Sequence, residues 1–166
     1  MMDLYKDVMI LIPFYNEEEN LLSVIQNCQK YTKNILCVDD GSNDASNVIA
    51  KNSGANILIT HSTNCGQGTA LLSGIRYFID HTNYNYLITM DADGQHLIDD
   101  AIKMLNFAKS TKADAVMGSR FLDERYSIDI PLSRKIIIKS AILFERIFYG
   151  LKKTDAHNGL RVLNRT

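Results

Sequence analysis

Residues 86–96 read YLITMDADGQH: a short apolar run with strand character, then two aspartates separated by one alanine. Carboxylates at the end of a buried strand repel one another unless a positive charge or a set of donors lies between them. The same grammar recurs along the chain. Val8-Met9-Ile10-Leu11-Ile12 is a continuous apolar run stopped by Pro13, and Ile35-Leu36-Cys37-Val38 ends at Asp39-Asp40-Gly41-Ser42. Asn56-Ile57-Leu58-Ile59-Thr60 precedes a polar loop, and Ala113 to Met117 supplies a fifth run. Between these strands the apolar spacing turns helical: Glu17 to Lys30, a segment capped by Asn43 or Asp44 and running to about Ser53, Gly68 to Asp80, and Leu97 to Lys109. Short runs without polar alternation suit strands buried on both faces, and their alternation with helices predicts a largely parallel sheet covered on both sides. The expected fold is α/β and Rossmann-like, in a single domain spanning residues 1–166.

In such sheets ligands bind beyond the carboxyl ends of the strands. Five polar clusters fall there: Pro13 to Glu17, Asp39 to Ser42, His61 to Gly68, Asp91 to His96 and Gly118 to Phe121. Together they predict one site on one rim.

Bulk properties narrow what that site can do. The chain has 166 residues, enough for one domain with a substantial core, and its 46% apolar and 22% charged content is ordinary for a globular protein. A formal net charge of -1 gives no global attraction to nucleic acid or to an anionic membrane, so an anionic ligand must be handled locally. Three cysteines without CxxC spacing suggest neither a disulfide framework nor a zinc site, and fit a reducing cytoplasm. The polar start shows no signal peptide, and no apolar run reaches the roughly 18 residues needed to cross a bilayer.

Asp91-x-Asp93 offers hard oxygen ligands suited to Mg²⁺ or Mn²⁺, with Gly94 permitting a turn that brings the two carboxylates together and His96 available as a nitrogen ligand. The alternative is that Asp93 or Gln95 caps the following helix. Of the adjacent acids Asp39 and Asp40, one can face a ribose hydroxyl or a base while the other orients its loop; taken alone, the motif reads more readily as a plain turn and helix cap. Cys65-Gly66-Gln67-Gly68-Thr69-Ala70 lacks the third glycine or alanine of a dinucleotide fingerprint, because position 71 is Leu71, and it does not follow the first strand. Its glycines instead let the chain pass close to a ligand and open a helix whose N-terminus favours anions. Arg120 suits a phosphate, or else pairs with Asp123 or Glu124. Residues 131–153 form an amphipathic stretch with basic ends, fitting a membrane interface, a sheet-covering helix or a dimer seam.

The motifs ILIPFYNEEENL, CVDDGSNDAS, NCGQGTALLSG, MDADGQH, GSRF and DAHNGLR, in this order, resemble a family 2 glycosyltransferase of the GT-A fold. The wording GQGTA and DADGQH is most similar to dolichyl-phosphate mannose synthase and bacterial polyprenyl-phosphate glycosyltransferases. The resemblance implies inverting transfer from a nucleoside-diphosphate sugar to a polyprenyl-phosphate or surface-glycan acceptor, in cell-envelope glycan biosynthesis. It implies donor contacts at Pro13, Tyr15, Glu17, Asp39, Asp40, Gly68, Ala92 and Arg120, and a divalent cation at Asp91, Asp93 and Gln95. Arg134 and Arg161 match basic positions near the acceptor, and Asp155 is the expected general base for a hydroxyl acceptor, with Arg120 beside the leaving group. Where that subgroup carries a Thr-Ser-Gly-Phe-Arg type segment, this chain has Ala156 to Arg161, which leaves a lipid phosphate and a glycan hydroxyl both open. Relatives of this kind generally continue beyond the last motif, so a C-terminal portion is expected to be missing from the domain. A location in the cytoplasm or at the cytoplasmic face of the membrane follows, with a homodimer compatible. A nucleotide-sugar-binding domain without transfer activity is the competing expectation. A nucleotidylyltransferase would need a Gly-rich, Arg-bearing loop in place of Pro13 to Glu17, and a phosphohydrolase would need a nucleophile that is not evident.

Overall fold

Strand β1 (Val8–Phe14) is buried at every position. It sits inside a six-stranded sheet of order β3 (Ile57–Thr60), β2 (Ile35–Asp39), β1, β4 (Tyr86–Thr89), β6 (Arg161–Asn164), β5 (Ala115–Met117). The computed structural model describes residues 5–118 and 159–165. Of these, residues 5–116 and 160–165 belong to one compact unit, which is the one described below. Strands β2 (Ile35–Asp39), β3 (Ile57–Thr60), β4 (Tyr86–Thr89) and β5 (Ala115–Met117) follow the expected apolar runs. Helices α1 (Leu21–Gln29), α2 (Ser46–Asn52), α3 (Gln67–His81) and α4 (Ile98–Thr111) alternate with them. The β1–β2, β1–β4 and β2–β3 ladders are all parallel.

The period-2 rule divides β1 between two cores. Val8, Ile10, Ile12 and Phe14 pack with α1 and α4, where Leu21, Val24, Ile25 and Cys28 repeat at helical spacing and Ala101, Leu105 and Ala108 do the same. Met9 and Leu11 face the other way, against Ala70 and Phe78 of α3. Each fully buried aliphatic side chain contributes about 1.5–3 kcal/mol relative to exposure, so the doubly covered β1 anchors the sheet. Gly74 permits the closest approach: a Cβ there would lie 2.3 Å from Leu11 Cδ1.

Two expectations are corrected. Pro13 does not stop β1, which continues through Phe14. Ile10 N–H donates to Asn34 and Phe14 C=O accepts from Asp40, so even-numbered residues of β1 bond to β2. The missing N–H of Pro13 therefore faces the β4 side, where the register ends at Leu11 opposite Thr89 and no ladder bond is lost. The capping residue of α2 also differs: the helix begins at Ser46, with Ala45 at the cap position. Asp44 nonetheless accepts the Ser46 N–H through Oδ1 and the Glu18 N–H through Oδ2. Burial alone would raise the Asp44 carboxyl, but hydrogen bonds from Ser46 and Glu18 outweigh it and lower it from the usual value.

One strand was not foreseen. β6 (Arg161–Asn164) runs antiparallel to β4 and lies between β4 and β5. Val162 is fully buried in the α1–α4 core and Leu163 packs on the α3 side. Just past it, Arg165 closes the C-terminal end of α3. Its guanidinium donates to the carbonyls of Phe78, Ile79 and Tyr84 and to Thr82 Oγ1, and lies 4.3 Å from the Phe78 ring centroid. A cation at a helix C-terminus satisfies orphan carbonyls and opposes the helix dipole. Among the described residues no helix is long and apolar enough to cross a membrane.

Candidate active site

The chain leaves β1 towards β2 on one side, while β4 pairs on the other, so the strand order reverses between β1 and β4. The crevice outside the carboxyl ends of these two strands is the topological switch point, where open α/β sheets bind ligands. Four loops meet on this rim.

The first and second are tied together. Asn16 N–H donates to Ser42 Oγ, Asn43 N–H to Asn16 Oδ1, and Glu17 N–H to Ser46 Oγ. Tyr15, between them, is 39% exposed and stands on the rim without burying its ring.

Asp39 and Asp40 are both buried at the end of β2. Asp39 accepts Ser42 N–H at 2.9 Å and Asn47 Nδ2 at 2.7 Å, and Asn47 reaches on to Thr60 Oγ1. Asp40 Oδ1 pairs with His61 Nδ1 at 2.7 Å and accepts the Cys65 N–H at 3.1 Å, while Oδ2 accepts the Gly66 N–H at 2.7 Å. Loss of hydration would raise the Asp40 carboxyl; the bonds from His61, Cys65 and Gly66 prevail and hold it below the ordinary carboxylate range. Both acids thus orient this chain's own loops. Gly41, at φ +77°, makes the arrangement feasible: a Cβ there would lie 2.6 Å from the Thr63 carbonyl carbon.

The third loop, after β3, delivers α3. Gly66 has φ +89° and precedes the helix, and neither Gly66 nor Gly68 would bring a Cβ within 4 Å of any other group. The exposed N-terminus of α3 is therefore open above the crevice. Gln67, its first residue, donates from Nε2 to Asp91 Oδ1 at 2.8 Å. His96 Nε2 lies 3.3 Å from Asp91 Oδ2.

The fourth loop, after β4, carries the acid pair. Ala92 is buried between half-exposed Asp91 and Asp93, and Gly94 (φ +76°) turns the chain. Asp93 Oδ1 accepts the Gln95 N–H at 2.9 Å, a local Asx turn. Helix α4 starts only at Ile98, with Leu97 at its cap position, so neither Asp93 nor Gln95 caps it. The helix-cap alternative for the acid pair is thereby removed. Two carboxylates, a carboxamide and an imidazole on one short loop form a donor set that fits Mg²⁺ or Mn²⁺. Beside this loop, between α1 and the start of α4, lies a cavity of about 350 Å³ bordered by Asn27, Lys30, Tyr31, His96 and Leu97.

Arg161 opens β6 directly opposite Thr89, two residues before Asp91, which brings this expected acceptor residue to the same rim. Arg120, Arg134, Asp155 and the amphipathic stretch 131–153 lie outside the described residues. Gln67, His61 and Ser73 received no role from the sequence. The signal for two of them was position: His61 begins the polar cluster after β3 and Gln67 opens a helix within it.

The model of "Glycosyl transferase family 2" fits residues 9–165. The chain belongs to this glycosyltransferase family. Among curated relatives, the undecaprenyl-phosphate mannosyltransferase of Micrococcus luteus is 32% identical over 93% of this chain and 65% of its own. The UDP-N-acetylglucosamine–dolichyl-phosphate N-acetylglucosaminyltransferase of Methanococcus voltae is 29% identical over 97% of this chain and 70% of its own. Glucosyl-3-phosphoglycerate synthase of Mycobacterium tuberculosis, solved with Mn²⁺, UDP-glucose and phosphoglyceric acid, superposes with a TM-score of 0.67 at 17% identity. That superposition covers 95% of this chain and 56% of the synthase, and it shows that the fold is GT-A. The chain thus spans a little over half of that solved structure and about two thirds of the curated relatives.

Proposed function

We propose that this family 2 domain transfers a sugar, with inversion, from a nucleoside-diphosphate sugar to a polyprenyl-phosphate or surface-glycan acceptor in cell-envelope glycan biosynthesis. The observation that carries this reading is the Asp91-x-Asp93 pair on the switch-point crevice, with Asp91 held from both sides by Gln67 and His96. Asp91, Asp93 and Gln95 would hold Mg²⁺ or Mn²⁺, which supplies charge stabilisation for a departing diphosphate. The neighbours support a divalent ion, since the M. tuberculosis synthase was solved with Mn²⁺ and UDP-glucose together.

The chain's own residues contribute around that pair. Gln67 and His96 fix the Asp91 carboxylate before any ligand arrives, so little ordering remains to be done on binding. The N-terminus of α3 is exposed at Gln67 and Gly68, and the positive end of its dipole favours an anion. Pro13, Tyr15, Glu17, Asp39, Asp40 and Ala92 form the nucleoside side; through Asp40's bonds they act by shaping the loops as well as by contact. Arg120 is assigned to the leaving group, Arg134 and Arg161 to the acceptor, and Asp155 to proton removal from a hydroxyl acceptor, which an anionic phosphate would not require. Residues 131–153 are assigned to a membrane interface on the cytoplasmic face.

The test is a thermal-shift panel of UDP-, GDP- and dTDP-sugars with and without Mn²⁺ or Mg²⁺. A ligand that binds only the folded state raises its apparent stability. A rise seen only with sugar nucleotide and cation together, and lost in Asp91→Asn, supports the proposal; no response from any pair refutes it. Because the chain covers only part of its relatives, a second reading is donor binding without transfer, which donor-dependent stabilisation with no product on any acceptor would favour.

A further inference from the structure

Three chemically different side chains meet where β2 and β3 end. One ligand atom from each of Asp40, His61 and Cys65 lies within 4.8 Å of the other two. It is the one such His, Cys, Asp or Glu trio among the described residues. We infer that this trio is a binding site for a thiophilic divalent cation of the Zn²⁺ kind, chemically separate from the hard-ion pair Asp91 and Asp93.

A carboxylate, an imidazole and a thiolate are the ligand types that suit tetrahedral Zn²⁺, whereas Mg²⁺ prefers oxygens alone. Zn²⁺ bonds of about 2.0–2.3 Å place tetrahedral ligands about 3.2–3.8 Å apart, and the three atoms all lie within 4.8 Å of one another, so shifts of about an ångström bring them to that spread. The Asp40–His61 contact, 2.7 Å between Oδ1 and Nδ1, must open by about half an ångström as the cation enters between them. The thiol proton of Cys65 passes to solvent, the proton of a neutral His61 sits on Nε2, where Ser73 Oγ accepts it, and no electrons move.

The supporting groups are in place as well. Ligating histidines almost always fix their second ring nitrogen with a hydrogen bond, and ligating carboxylates are themselves hydrogen-bonded. His61 Nε2 lies 3.0 Å from Ser73 Oγ on α3, and Asp40 Oδ2 takes the Gly66 N–H at 2.7 Å. The backbone of the loop is wrapped around Asp40 before any ion binds, since the Cys65 and Gly66 N–H groups both point at it. Cys65 is exposed, which gives an ion an entry path and leaves the fourth position to water. A cation there would pin the 61–66 loop to the end of β2 and fix the start of α3.

The thiol reports on the site directly. Cys28 and Cys37 are buried and burial pushes both thiols up to about 12, so a thiol reagent applied to the folded full chain reads Cys65 alone. With the chain stripped by chelator, Zn²⁺ is expected to slow that reaction about tenfold or more, while Mg²⁺ at equal concentration leaves it unchanged. Co²⁺ in place of Zn²⁺ should give a sulfur-to-metal charge-transfer band that Cys65→Ser abolishes. Ser73→Ala, which touches no ligand atom, should weaken Zn²⁺ protection about tenfold, and His61→Gln should remove it. Unchanged thiol reactivity under Zn²⁺ and no charge-transfer band would show a hydrogen-bonded trio only and overturn the inference. Protection that survives both His61→Gln and Ser73→Ala would mean adventitious capture by a single thiol and overturn it equally. No nucleotide sugar enters the experiment, so its outcome is independent of the transfer reaction.

Discussion

Gln67 Nε2 donates to Asp91 Oδ1 across 2.8 Å, joining the first residue of α3 to the first acid beyond β4. The bond links two loops 24 residues apart in sequence and aims one carboxylate oxygen into the switch-point crevice. Gln67→Ala is expected to leave the melting temperature nearly unchanged, because the side chain is exposed and one such bond contributes about 0.5–1.5 kcal/mol at most. Cation-dependent binding of a sugar nucleotide should weaken about tenfold, as for other orienting partners of metal ligands. Isothermal titration of the variant with the best ligand of the thermal-shift panel checks both halves. Unaltered affinity would remove Gln67 from the site.

Asp40 makes the opposite prediction, in which stability moves most. Asp40→Asn sets a carboxamide N–H₂ against donors from Cys65, Gly66 and His61, leaving at least one buried group unpaired at a cost of about 1–3 kcal/mol. Urea unfolding should show this as a lower midpoint at unchanged slope. The same variant should lose nucleotide affinity indirectly, through a displaced 61–66 loop.

Acid should act through the same carboxylate. Asp40 and Asp44 both have folded values lowered from the ordinary one, so each binds its proton less readily folded than unfolded. Their stabilisation is fully present above the unfolded value near pH 4 and is lost as pH falls through the folded value. The melting temperature of the wild type should therefore drop below about pH 4, with a shallower drop in Asp40→Asn. A parallel drop in the two proteins would contradict the assignment.

Gly74 is where α3 touches β1 most closely. Gly74→Ala places a Cβ 2.3 and 2.6 Å from the two methyl carbons of fully buried Leu11. Overpacking of about 1–3 kcal/mol should exceed the gain of about 1 kcal/mol from replacing a helical glycine. Gly74→Ala should cost less in a Leu11→Ala background than in the wild type, and chemical denaturation of the two single variants and the double variant decides it. A stabilised Gly74→Ala variant would mean that Leu11 has room to turn.

Arg165→Ala should destabilise by about 2 kcal/mol, since hydrogen bonds from a charged donor contribute about 1.5–3 kcal/mol and this guanidinium holds several carbonyls at once. Lysine keeps the charge but not the planar fork, so Arg165→Lys should fall between the two. Amide exchange in the last turn of α3 locates the effect; protection there equal to wild type in Arg165→Ala would exclude the clamp.

Five of the six strands and all four helices described were legible because each is a local pattern: an unbroken apolar run, or Leu21, Val24, Ile25 and Cys28 at helical spacing. β6 escaped because it has four residues and only Val162 is fully buried, too short an alternation to separate from the polar cluster around it. Pro13 misled because its effect depends on which neighbour its missing N–H faces, a property of the assembled sheet. The acids of the site were visible by type and position, but their bonds were not. His61 reaches Asp40 over 21 residues and Gln67 reaches Asp91 over 24, distances at which no spacing rule operates. The reading of Asp93 as a helix cap stayed open until α4 was seen to begin at Ile98.

The placement of β6 also bears on how the protein is made. A strand drawn from residues 161–164 lies in the interior of the sheet, with β4 on one side and β5 on the other. On a ribosome this segment emerges after every other described strand, so the β4 edge stands unpaired while the intervening residues are synthesised. An exposed strand edge is a template for foreign pairing. Chaperone demand should therefore be concentrated in that interval of translation, and a nascent chain arrested before residue 160 should bind holdases that the finished protein releases.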